Sequence, residues 1–147
     1  MMKRIAVVAA AVLTLGMMGQ ITPVRAAALE GAGAVQVKVD YKGKGTVDGS
    51  HRVWVSLFDT PNIGSSAMPI AQVSLEKNGA VATFDVATER VWIAVAYDES
   101  GTMTGDAPPP SGSPIAIHGG NPAAPEAVVP GAKASVTITF DDSQRMP

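Results

Sequence analysis

From Ala27 onward, the dominant period of apolar residues is two rather than 3.6, and nowhere does a helical stripe persist for three turns. In AVQVKVDY, Val35, Val37, Val39 and Tyr41 share one face while Gln36, Lys38 and Asp40 share the other. A segment with one apolar and one polar face, rich in Val, Ile and Thr, is a half-buried strand. HRVWVSLFD (51–59) and RVWIAVAYD (90–98) are apolar on both faces, as central strands covered on two sides would be. IAQVSLE (70–76), a Lys77-Asn78-Gly79 turn and AVATFDV (80–86) predict a β-hairpin. KASVTITFDD (133–142) completes six good strands, with weaker ones near Thr46 and at 114–118. Short strands without helices to carry parallel crossovers predict an all-β, antiparallel β-sandwich of about seven or eight strands.

The start of the chain has a different character. Met1-Met2-Lys3-Arg4 is a basic head, and the apolar run at 5–18 is 14 residues, too short to span a bilayer comfortably. Small residues then precede a cut after Ala26, so 1–26 is expected to be a secretory signal peptide and 27–147 a single β-sandwich domain. The protein is therefore expected in the periplasm or secreted, with no membrane span in the mature chain. Removing Lys3, Arg4 and Arg25 takes the 11 basic residues to 8 against 13 acidic ones. An acidic domain without clustered Lys and Arg argues against nucleic acid as a partner. Cysteine is absent, so the fold must rest on its core rather than on disulfides.

The order GTVDG, an apolar strand ending LFD, a long loop, an Asn-Gly turn, ATFDV and VWIAVAYDESG resembles the transthyretin-like, carboxypeptidase regulatory-like β-sandwiches. The stretch 91–119, with YDESG, a later Gly-Asp and Gly-Ser-Pro, is similar to an uncharacterised family of small exported bacterial proteins. The resemblance implies a transthyretin-like (prealbumin-like) sandwich that binds a protein or polysaccharide, or serves a structural role, in the bacterial envelope or secretome. One transthyretin-like branch hydrolyses hydroxyisourate with His residues, an Arg and a terminal Tyr-Arg-Gly-Ser. This chain ends DDSQRMP, so that activity does not carry over.

Catalytic groups are correspondingly sparse. No Ser sits in a G-x-S-x-G elbow, and His51 and His118 are 67 residues apart without paired metal-ligand spacing. The expectation is a protein that is not an enzyme, and a small hydrolase is the last alternative.

Two binding hypotheses remain. Acids close several strands, and calcium would be held if Asp59, Asp98, Asp106 and Asp141 converged at one end of the sandwich. Such a site would make a calcium-stabilised adhesion-type domain. An EF-hand is excluded, because its register from Asp98 puts Met103 where Gly is required and Pro109 where a bidentate Glu is required. The second hypothesis is a carbohydrate-binding accessory protein using Trp54 and Trp92, which hold equivalent places in two similar strands. If those strands are neighbours, Ser56, Ala94 and Ala96 leave a shallow platform between two indoles. The segment 105–133, with seven of the chain's 11 prolines, is then expected to lie against the sandwich.

Overall fold

A computed structural model describes residues 33–147, Ser65 excepted, and the expected signal peptide at 1–26 lies outside the described residues. The described residues form seven strands and no helix: β1 (Gly33–Tyr41), β2 (Val53–Phe58), β3 (Ala71–Leu75), β4 (Val81–Val86), β5 (Trp92–Tyr97), β6 (Ile115–Ile117) and β7 (Ser135–Phe140). They make a three-stranded sheet ordered β4-β1-β7 and a four-stranded sheet ordered β3-β2-β5-β6.

The core lies between the sheets. Val35, Val37 and Val39 of β1 meet Val53, Val55 and Leu57 of β2 and Ile93 and Val95 of β5, with Phe84, Ile138 and Phe140 closing the flanks. Each of these side chains contributes roughly 1.5–3 kcal/mol by leaving water. The β1 burial pattern alternates strictly, as its sequence predicts. β2 and β5 are the central, mutually paired strands of their sheet, in register from Val53↔Tyr97 to Phe58↔Trp92.

Three expectations are corrected. The sandwich is not wholly antiparallel, since β1 and β7 run parallel from Gln36↔Ser135 to Tyr41↔Phe140. The expected hairpin at 70–86 is an arch between sheets: β3 pairs with β2, and β4 pairs with β1. Asn78 directs that crossing, because its side-chain amide accepts from Tyr41 N and donates to Tyr41 O, both at 2.7 Å, in the manner of a pairing strand. Gly79, at φ 79°, then turns the chain so that its N–H bonds Val39 O at 2.9 Å. The weak strand near Thr46 is a loop instead, with Val47 packed on the core and Thr46 O accepting from the Tyr97 hydroxyl at 2.9 Å.

The long segment holds β6, which pairs with β5, and is pinned by a Val91↔Val128 bridge and by Gly131 N bonding Ala34 O at 3.1 Å. Residues 144–146 run antiparallel beside 112–115, tied by Ile115 N to Gln144 O and Met146 N to Ser113 O, each at 2.9 Å.

Candidate ligand-binding groove

The alternation that sends Val53, Val55, Leu57, Ile93 and Val95 inward sends Trp54, Ser56, Phe58, Ala94 and Ala96 to the other face of the four-stranded sheet. An outer face in contact with water is normally polar. Here the β2–β5 register places Trp54 opposite Ala96, and Ser56 opposite Ala94, so small residues lie beside large ones. β6 adds Ile115 opposite Ala96 and Ile117 opposite Ala94. The result is the floor of a groove of about 690 Å3.

Loops build its walls. On one side stand Ile63, Met68 and Ile70 from the β2–β3 connection, and on the other Met103, Gly105 and Pro108 from the β5–β6 connection. Residues 144–147 close a third side. Met68 is 76% exposed and Ile70 42%, an arrangement of bulky apolar side chains at a rim that solvent alone does not favour. Polar groups on the floor satisfy one another: Gln72 Nε2 donates to Ser56 Oγ at 2.8 Å. Arg145 is engaged with Glu99 at 2.9 Å, and that hydrogen bond holds its guanidinium pKa above the ordinary value.

Trp54 and Trp92 do lie on one sheet face, but four residues apart along the β2–β5 pair, about 13 Å. Trp54 lines the groove and Trp92 does not. The Trp54 indole is partly covered, because Gly105 packs on it so closely that a Cβ there would come within 2.9 Å of Cζ3.

The acids are distributed differently from a metal site. Antiparallel pairing of β2 and β5 puts Asp59 and Asp98 at opposite ends of the sheet. Asp106 stands exposed on the groove wall, and Asp141, exposed at the end of β7, accepts from Ser143 N at 2.8 Å. Asp98 is 2% exposed and its oxygens are already filled. Oδ1 accepts from Gly101 N at 2.8 Å, Thr102 N at 3.1 Å and Ser100 Oγ at 3.2 Å, and Oδ2 accepts from Met103 N at 2.9 Å. The carboxylate is thus the anion in a nest of N–H donors, the reverse of a cation site. Among the described residues no three or more of His, Cys, Asp and Glu are grouped to hold a metal. His51 Nδ1 sits 3.3 Å from Asp48, while the backbone of His118 bonds Ile93 at the other end of the sheet.

Sequence reasoning missed the methionines. Beyond residue 26 the chain has three, Met68, Met103 and Met146, and all three line the groove. Their signal was bulky apolar residues in loops, which no strand pattern explains. Unbranched thioether side chains adapt to varied apolar partners. Among the described residues no helix is long and apolar enough to cross a membrane. In comparisons with protein families, curated proteins and solved structures, the chain matches none.

Proposed function

We propose that this protein is an exported, non-enzymatic binding module of transthyretin-like, carboxypeptidase regulatory-like architecture, and that the outer-face groove is its site for an apolar small molecule. The observation carrying this reading is the floor of Trp54, Phe58, Ala94, Ala96, Ile115 and Ile117 inside a walled concavity of about 690 Å3. That volume falls within the ~300–1,000 Å3 typical of small-molecule sites. Export rests on the leader at 1–26, and the architecture rests on the three- and four-stranded sheets together with the motif order of the sequence. The non-enzymatic reading is supported by the placing of His51 and His118 at opposite ends of the sheet. A polysaccharide fits less well, because sugar stacking needs an open aromatic face, whereas Gly105 covers Trp54 and Trp92 lies outside the groove.

The reporter dye N-phenyl-1-naphthylamine tests the site. It is expected to brighten and shift to the blue with the protein, and to lose that response in Ala94→Phe, which fills the floor without touching the core. Unchanged dye emission with the native protein, or quenching of tryptophan by soluble polysaccharides instead, would overturn the assignment.

A further inference from the structure

The Trp54 indole Nε1–H is shut off from solvent and has no hydrogen-bond acceptor. Buried donors are nearly always paired, and one left unpaired in an otherwise well-bonded sheet calls for an explanation. Ser74, opposite Trp54 on β3, does not pair with it, and Gln72 Nε2 and Ser56 Oγ, the next polar pair along the sheet, bond each other. The piece of chain lying on the indole is also weakly held. Asp98 fixes the loop as far as Met103 N, and Pro110 O accepts from Ser113 N at 3.1 Å. Between these anchors, no hydrogen bond among the described residues ties 104–109 to the rest of the protein. Gly105, at φ 87°, sits in the middle of that span, so close to the Cζ3–Cη2 edge of Trp54 and to Gln72 Oε1 that a Cβ there would collide with both.

We infer that the groove takes an elongated apolar molecule bearing one oxygen acceptor, such as a ketone or ester carbonyl, which lifts the 104–109 flap and accepts a hydrogen bond from Trp54 Nε1. This deepens the groove assignment and rests on it. The apolar body lies along Ala94, Ala96 and Ile115, against the adaptable side chains of Met68, Met103 and Met146. The carbonyl supplies what the indole lacks, so an unpaired donor that weakens the free protein becomes a determinant of which ligand is held. A purely hydrocarbon ligand would leave the donor unpaired, and a ligand with a charged head would meet no free counter-charge on the floor.

The test uses 2-decanone and the indole region of a nitrogen–proton correlation spectrum. The chain has two tryptophans, so Trp54→Phe assigns both peaks. Saturating ketone is expected to displace the naphthylamine reporter and to move the Trp54 Nε1–H peak downfield while the Trp92 peak stays. Trp54→Phe is expected to weaken the ketone about fivefold more than it weakens the reporter, the worth of one ordinary hydrogen bond. Displacement of the reporter with the Trp54 peak unmoved would overturn the acceptor inference and leave the groove assignment standing. Failure of both the reporter and the ketone to bind would overturn both.

Discussion

Tyr41 of β1 and Tyr97 of β5 stack across the sandwich, with ring centroids 4.3 Å apart and planes 23° from parallel. They join the two sheets at the end where β5 runs into the Asp98 nest. Each phenol is also anchored, Tyr41 by donating to Asp142 and Tyr97 by donating to Thr46 O. Gly43 and Gly45 press against the rings so closely that a Cβ at either would collide with a phenol. Gly43 and Gly45 thus form a lid on an aromatic lock.

Tyr41→Phe tests the lock. It removes one hydrogen bond to a charged acceptor and keeps the ring, so urea unfolding should show a loss of about 1–2 kcal/mol with an unchanged slope. Asp142, held below the usual carboxylate range by Tyr41 first and Lys44 N second, should titrate nearer its ordinary value in the variant. A midpoint equal to that of the native protein would refute the role given to this bond.

Alkaline pH should act through the same pair. Burial, then the hydrogen bond to Asp142, raises the Tyr41 pKa, and burial, then the charges of Asp48 and Glu99, raises that of Tyr97. Both phenols keep their protons more firmly folded than unfolded. Their stabilisation is therefore complete below the ordinary value of 10.0 and is lost as pH climbs above it. The chain has two tyrosines in all, so phenolate absorbance should appear together with unfolding. Ionisation of both near 10.0 with the fold intact would contradict it.

Asp98→Asn replaces an acceptor by a donor in a nest of N–H groups. The expected cost is about 2–3 kcal/mol, accompanied by a change in Trp54 emission as the base of the flap loosens. Millimolar calcium should leave the thermal midpoint of the native protein unchanged, because four donors occupy the carboxylate. A calcium-dependent rise in midpoint abolished by Asp98→Asn would revive the metal reading.

Gly105→Ala should separate flap from sandwich. Its Cβ would come within 2.7 Å of Gln72 Oε1 and 2.9 Å of Trp54 Cζ3, at a φ that side chains rarely adopt. The flap should lift, shifting Trp54 emission to the red, while global stability falls by no more than about 1 kcal/mol. A native emission maximum in the variant would show that the flap does not seal the indole.

Alternation alone marks the strand segments, the loop near Thr46 excepted, and tells which side chains share a face. That signal is local: Val35, Val37 and Val39 are spaced by the pleat wherever the strand ends up. It also placed Trp54, Ser56, Ala94 and Ala96 on related faces, which is half of the groove. Tertiary structure decided the partners and their directions. Lys77-Asn78-Gly79 reads alike as a hairpin turn or as an arch between sheets, and the choice fell to the Asn78 side chain reaching Tyr41, 37 residues away. The parallel β1–β7 pair, and the separation of Asp59 from Asp98, follow from long-range pairing in the same way. Backbone hydrogen bonds form between strands whatever their side chains, so alternation carries no record of partner or direction. The groove needs two loops and residues 144–147 to converge over a face that only pairing assembles, and Met68, Met103 and Met146 acquire a common surface only then.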